Sequence, residues 1–156
     1  MTDLTEKLRA NMVMEKGQQA RDKRRGKIID ALLEKTEVEV PQIFIDSELE
    51  KIIGQMKDDV SRFGLTFDGY LSQVGKTEEQ LKEEFTEQAT KRAKLQMVLN
   101  KIAADEKIDA EKADVDEEMK HALEHFPEAK QDLLRIHVET VLRNEKVLQM
   151  IETLDK

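Results

Sequence analysis

The 156-residue chain contains no cysteine and no tryptophan, and tyrosine occurs only once. Without cysteine, the chain cannot form disulfides, thiolate zinc sites or a thiol nucleophile, which fits a reducing compartment. Aromatic residues make up only 4% of the sequence, so the bulky side chains that fill a thick core are scarce. We therefore expect an elongated cytoplasmic protein in which long helices share a thin core.

Long apolar runs are missing as well. The first six residues read MTDLTE, which is not a basic segment followed by an apolar stretch. No window approaches the roughly 18 uninterrupted apolar residues of a membrane span. We expect no membrane association.

Glycine is sparse and scattered, and this argues against nucleotide chemistry. The six glycines never approach the spacing of a phosphate-binding loop. The many carboxylates, such as those of Glu78, Glu79, Glu83 and Glu84, resemble solvated helix faces, because nothing apolar surrounds them to raise a pKa. We therefore predict no catalytic residues and no cofactor.

Charge is abundant and unevenly distributed. The net charge is −8, but residues 1–35 contain nine Lys or Arg and six Asp or Glu, a balance of +3. Basic residues concentrate between Arg21 and Lys27, where Asp22 dilutes them. This segment is better interpreted as a solvated helix face than as a nucleic-acid site, so we expect no nucleic-acid partner.

Apolar residues recur at helical spacing along nearly the whole chain. The pattern predicts a single all-α domain over residues 1–156, with several helices and one short extended segment. Its parts are a long helix over 1–35, an extended linker over 36–41, arm helices over 42–106, and a second arm with the C-terminal helix over 107–156. The linker is closed by Pro41, which forces the residue before it into extended geometry.

Local signals mark where the helices begin and end. A short helix is predicted from Phe67 to Val74, after Gly64 as a left-handed helix end, and Pro127 is predicted to start the last helix. Three pairs have the spacing of a capping box: Asp3 with Glu6, Thr77 with Gln80, and Asp114 with Glu117.

Two histidines give the sharpest chemical motif. His121 and His125 match the H-x-x-E-H pattern of zinc hydrolases, in which both imidazoles share a helix face. A third ligand and a substrate cleft are missing, so we predict no metal and an exposed acidic helix. His137 is predicted to be a partly buried structural histidine, because it adjoins an apolar stripe and has no nucleophile partner.

Methionines near the apolar stripes are a more useful signal for binding, because flexible thioethers adapt to irregular partners. Core filling is the competing interpretation for each of them. The methionines concerned are Met12, Met14, Met56, Met97, Met119 and Met150. Six apolar residues also crowd the stretch from Phe63 to Val74, more than so small an element can easily bury in itself.

Four segments resemble one known family. ALLEKTEVEVP at 31–41 and IDSELE at 45–50 resemble the stretch of trigger factor that follows its isomerase domain, while GKTEEQL at 75–81 and EFTEQATKR at 84–92 look like an arm of its C-terminal domain. The resemblance extends in pattern from about Leu4 to Leu154. Its motifs are packing and capping motifs, so specificity comes from their order and spacing.

The resemblance implies an ATP-independent chaperone domain whose helical arms form a cradle for unfolded or nascent chains. The family's ribosome-docking loop, Gly-Phe-Arg-x-Gly-Lys-x-Pro, has no match here, nor does its β-rich isomerase domain. We therefore expect ribosome contact only through a domain outside this chain, and no prolyl isomerase activity.

We place client binding on apolar residues near the ends of the arms. Docking of these residues onto the long helices is the competing interpretation. The predicted client-binding residues are Phe63, Leu65, Phe67, Tyr70, Leu71, Val74, Met119, Leu123 and Phe126. An alternative function is a helical scaffold that binds one folded partner or self-associates, and a metallohydrolase ranks third.

Overall fold

The computed structural model describes the backbone of residues 2–154 and the side chains of residues 12–154. This part of the chain forms six α-helices and no strand, which confirms the predicted all-α multi-helix fold. The helices are α1 (Thr2–Lys35), α2 (Gln42–Arg62), α3 (Phe67–Val74), α4 (Glu78–Asp105), α5 (Lys112–His125) and α6 (Gln131–Leu154). The predicted capping box of Asp3 and Glu6 lies outside the described side chains.

The chain divides into two compact units. The central unit is Thr36–Val98, and the terminal unit combines α1 with the chain from Leu99 onward. The boundary between them falls within α4. Each unit has buried apolar residues of its own.

The core of the central unit is formed by α2 and α4. Ile45, Leu49 and Ile52 recur on one face of α2 and pack with Ala89 of α4, which is fully buried. Phe85 of α4 is half-buried and packs against this cluster. The alanine has little volume, so the two helices can approach closely at this point.

Backbone hydrogen bonds and caps end the helices of the central unit where the sequence predicts. Gly64 adopts a left-handed φ of 74° after α2, and Gly75 does the same at 67° after α3. The capping box before α4 is confirmed, since the Thr77 N–H donates to Gln80 Oε1 at 2.9 Å and the Gln80 N–H donates to Thr77 Oγ1 at 3.3 Å. These ends depend on residues a few positions apart, which makes them readable from sequence.

The core of the terminal unit is formed by α5 and α6. Val115 and Met119 of α5 pack against Val138 of α6, and Leu123 and Leu142 cover the cluster. Further along α6, Val147 is fully buried.

The predicted capping box at Asp114 and Glu117 is wrong. The helix α5 begins at Lys112, its cap residue is Glu111, and that residue makes no side-chain capping bond. The Val115 N–H donates to the Glu111 carbonyl at 3.0 Å, so Asp114 already lies in the first turn. Its carboxylate still favours the helix there, because it faces the positive end of the helix dipole.

The prediction that Pro127 starts the last helix is also wrong. Pro127 lies in a turn that is closed by the Ala129 N–H donating to the Phe126 carbonyl at 3.1 Å, and α6 begins only at Gln131. Proline is favoured in such a turn for the same reason that it is favoured in a first helical turn, its fixed φ.

His137 is exposed, which contradicts the prediction of a partly buried histidine. Its neighbour Val138 takes the buried position. Adjacent residues on a helix point about 100° apart, so only one of the two side chains faces α5.

Candidate functional site

The central unit contains an open, largely apolar groove of about 450 Å³. We call it the central groove. Residues of α2, α3, α4 and the segment between α2 and α3 line it: Ile52, Gln55, Met56, Asp59, Val60, Phe63, Leu65, Tyr70, Phe85, Gln88 and Arg92. Its volume lies in the range of sites that hold small ligands or a few side chains.

Phe63 is the most exposed large apolar residue of the groove, with 84% of its surface accessible. Leu65 beside it is 43% exposed. Isolated apolar side chains are common on protein surfaces, but a contiguous apolar surface in a concave site marks an interaction site.

Backbone geometry holds Phe63 and Leu65 in these positions. The Phe63 N–H donates to the Asp59 and Val60 carbonyls at the end of α2, and the Leu65 N–H also donates to the Val60 carbonyl. Between them, Gly64 turns the chain through its left-handed conformation. The exposure of Phe63 therefore follows from how the helix ends.

Tyr70 of α3 lines the groove, and its ring stacks on Phe67, which in turn contacts Lys57 of α2. The rings of Phe67 and Tyr70 are stacked with centroids 6.2 Å apart, and the Lys57 ammonium lies 4.9 Å from the Phe67 centroid. Lys57 also pairs with Glu78 at 2.9 Å, and its hydrogen bond is the main reason that the pKa of Glu78 lies below the ordinary value. One lysine of α2 therefore contacts both α3 and the start of α4.

Four polar residues interrupt the apolar wall: Gln55, Asp59, Gln88 and Arg92. Within the described part of the chain, the side chains of Gln55, Gln88 and Arg92 make no hydrogen bond or ion pair. Asp59 lies 3.8 Å from Arg62, a long ion pair between exposed groups. The groove therefore offers hydrogen-bonding capacity that only solvent or a bound molecule can use.

The sequence-predicted client-binding residues separate into three groups. Phe63, Leu65 and Tyr70 line the central groove. Phe67 and Leu71 of α3 are half-buried and Val74 is exposed, but none of these three lines the groove.

The remaining three belong to the terminal unit. Met119 is 7% exposed and Leu123 packs beside it, so both contribute to the core of that unit. Phe126 follows α5 and is 62% exposed. Of the three, only Phe126 presents an open apolar surface.

Sequence reasoning missed most of the groove wall. Ile52, Met56 and Val60 recur at helical spacing on α2, but such a stripe does not reveal which of its members border an opening. The amides of Gln55 and Gln88 carried no sequence signal, because exposed glutamines are ordinary on helices.

The histidine motif lies on α5, where His121 and His125 are both exposed. No group of three or more potential ligands occurs in the described part of the chain. That zinc does not bind stays a prediction.

None of the described helices is long and apolar enough to cross a membrane.

Comparison with known proteins gives one consistent family. The family model described as "Bacterial trigger factor protein (TF) C-terminus" matches residues 1–153. The chain is 36% identical over 110 residues to a trigger factor of Caldicellulosiruptor saccharolyticus, a match that covers 67% of this chain and 24% of that relative. It is 29% identical over 126 residues to a trigger factor of Bacillus pumilus, covering 81% of this chain and 30% of the relative.

A trigger factor of Halothermothrix orenii is 30% identical over 116 residues, which cover 74% of this chain and 27% of the relative. The chain therefore spans less than a third of the length of these relatives. No solved structure matches it.

Proposed function

This chain belongs to the family of bacterial trigger factor C-terminal domains, and we propose that it is an ATP-independent chaperone domain that binds unfolded or nascent polypeptides. We assign client binding first to the central groove. The observation that carries the proposal is the exposure of Phe63 at the edge of a concave apolar surface.

The physical basis is the removal of apolar surface from water. Each Å² of apolar surface that a client and the groove bury together contributes about 25 cal/mol. Unfolded chains expose apolar side chains that folded proteins bury, so they gain most from such a surface. Binding therefore discriminates unfolded from folded proteins without requiring a client sequence.

The groove wall also fits a site that accepts many clients. Met56 is flexible and polarisable, so it can adjust to side chains of different shape. Few of the lining groups are charged, which avoids the cost of burying an unpaired charge under an apolar client. We expect weak and rapidly reversible binding.

Phe126 is a second candidate contact in the terminal unit. It is 62% exposed, and it follows α5 at a position where the helix has ended. We propose that Phe126 binds clients separately from the central groove. Met119 would contact a client only if α5 and α6 separated, because it is buried in the core. Leu123 packs against the same cluster but is only half-buried.

The test compares two exposed phenylalanines of the central unit. Phe63→Ala removes a groove residue, while Phe44→Ala removes a phenylalanine that is 50% exposed and lies outside the groove. Suppression of aggregation is measured with several unrelated denatured proteins. We expect Phe63→Ala to weaken it several-fold and Phe44→Ala to leave it close to that of the parent chain.

Unfolding of both variants is measured in parallel, because a misfolded variant would imitate a loss of binding. Both residues are exposed, so the free energy of unfolding should change by less than about 1 kcal/mol. Equal suppression by the parent and the Phe63→Ala variant would contradict binding in the central groove.

Self-association through α6 is the alternative function. Leu133, Ile136 and Val141 of α6 are each at least 50% exposed, and none of them belongs to the buried core. Sedimentation over a range of concentrations tests this alternative. A fixed oligomer that dissociates on changing Ile136 to glutamate, together with no aggregation suppression, would favour a scaffold over a chaperone.

A further inference from the structure

We propose that Gln55 and Gln88 determine which clients the central groove accepts, by hydrogen bonding to the main chain of a segment that is not helical. This inference rests on the proposed function and specifies its substrate class. The occupant is an extended, uncharged, apolar stretch of polypeptide whose backbone N–H and C=O groups are free.

The argument begins with the cost of binding a peptide in an apolar groove. A client segment that displaces water from the groove also loses the water bound to its own peptide groups. A buried peptide group that has lost its water and gained no other hydrogen bond destabilises the complex. That cost offsets much of the gain from burying one side chain, so the groove must supply partners or exclude the backbone.

Among the lining residues, four side chains can act as strong partners: Gln55, Asp59, Gln88 and Arg92. A carboxylate only accepts hydrogen bonds, and a guanidinium only donates them. A glutamine amide does both and therefore matches a peptide group, which offers one donor and one acceptor. Gln55 lies on α2 and Gln88 on α4, so the groove presents such an amide from each of its two long helices.

The hydrogen-bonding capacity of these amides is not used within the described part of the chain. The side-chain amide of neither Gln55 nor Gln88 bonds to another described side chain or backbone group. This distinguishes them from Gln80, whose amide caps α4, and from Gln42, which donates to Asp46 at 2.8 Å. A client can therefore engage them without breaking an interaction within the protein.

The proposal separates three kinds of occupant. In a helical segment most backbone groups are already bonded internally, so the glutamines add little to its binding. An apolar small molecule or acyl chain has no groups to pair with them. Asp59 and Arg92 contribute one charge of each sign, so the lining has no net charge with which to favour a charged segment.

The experiment is a cycle of two changes, one in the protein and one in the client. The protein change is Gln55→Met with Gln88→Met, which keeps side-chain length and removes both amides. The client is a short apolar peptide with a fluorescent label, compared with the same peptide carrying one central backbone ester in place of an amide. Affinities are measured by fluorescence anisotropy with the full chain.

We expect the ester to weaken binding to the parent chain about fivefold, the factor that corresponds to one net hydrogen bond of about 1 kcal/mol. Binding to the double variant should be weaker and should not depend on the ester. Gln73→Met, on an exposed glutamine of α3 outside the groove, is the matched control and should behave like the parent. An apolar dye should bind the double variant at least as well as the parent, which shows that the groove is intact.

The outcomes distinguish this inference from the proposed function. An equal effect of the ester on the parent and the double variant, or no effect on either, would overturn the role of the glutamines. If peptide binding is then still reduced by Phe63→Ala, the groove remains the client site, and only the inference about its selectivity is wrong. If the parent does not bind the peptide, or Phe63→Ala leaves binding unchanged, both proposals fail.

Discussion

Arg25 of α1 donates two parallel hydrogen bonds to the Glu145 carboxylate of α6. Its Nη1 lies 2.8 Å from one carboxylate oxygen and its Nη2 lies 2.9 Å from the other. The remaining nitrogen, Nε, lies 2.6 Å from Glu152. All five N–H donors of a guanidinium lie in one plane, so this geometry fixes α1 against α6 in both position and direction.

Removal of the guanidinium should loosen the attachment of α1. We expect Arg25→Gln to lower the free energy of unfolding by about 1 kcal/mol, a modest value because the groups are partly exposed and solvent screens them. Arg21→Gln, at an exposed position four residues earlier on α1, should change the free energy of unfolding little. Chemical denaturation measures both variants.

Arg25→Lys refines this test. Lysine keeps the charge but cannot form the paired hydrogen bonds. The free energy of unfolding of Arg25→Lys should therefore lie between those of the parent and Arg25→Gln. Equal stability of all four proteins would show that the ion pair contributes nothing measurable.

The same pair predicts a dependence of stability on pH. The hydrogen bond from Arg25 is the main reason that the pKa of Glu145 lies below its ordinary value of 4.5. A carboxyl with a lowered pKa in the folded state contributes stability that is fully present above the unfolded value and is lost as the pH falls through the folded value. Stability should therefore decrease below about pH 4.5.

Glu145→Gln measures how much of this pH dependence of stability comes from the Glu145 carboxyl. The variant should be less stable than the parent at neutral pH, and the difference should narrow as the solution is acidified. Denaturation at a series of pH values gives the curve. A difference that stays constant with pH would contradict the assignment.

Two glycines provide opposite predictions for the same change. Gly75 has a φ of 67°, a conformation that costs alanine about 1 kcal/mol, so Gly75→Ala should destabilise the chain by about that amount. Gly54 lies inside α2 with no atom within 4 Å of an added methyl group. Gly54→Ala should therefore stabilise the chain by roughly 0.5–1 kcal/mol. Thermal unfolding distinguishes them, and shifts in the same direction would contradict the backbone argument.

Two isoleucines of α2 test the core of the central unit. Ile53 is 2% exposed and Ile43 is 73% exposed. Changing Ile53 to alanine should cost about 3 kcal/mol, because the change leaves a cavity and loses buried apolar surface. The same change at Ile43 should cost less than about 0.5 kcal/mol. A small effect at Ile53 would mean that this part of the core can collapse around the missing atoms.

Comparison of particular helix ends explains what was predictable. The predicted capping box of Thr77 with Gln80 forms. The predicted box of Asp114 with Glu117 has the same spacing and does not form. A capping motif states only that a helix can begin at a residue. Where the helix begins earlier, as α5 does at Lys112, the motif lies inside the first turn and is not used.

Burial was the least predictable property of the candidate site. Met119 and Phe126 both looked like exposed binding residues in the sequence, yet one is buried under α6 and the other is exposed. The difference depends on a partner helix whose position the spacing of apolar residues does not report.

The all-α class, several helix ends and the family are predictable from the sequence, because each depends on residues within a few positions of one another or on their order along the chain. Tertiary packing is what brings Phe63, Tyr70 and Phe85 to one groove and places Arg25 beside a carboxylate 120 residues away. Hydrogen bonds within a helix join neighbours in sequence, and their signals are local. Grooves and ion pairs between helices arise when distant segments pack, and their free energies depend on which surfaces remain exposed to water.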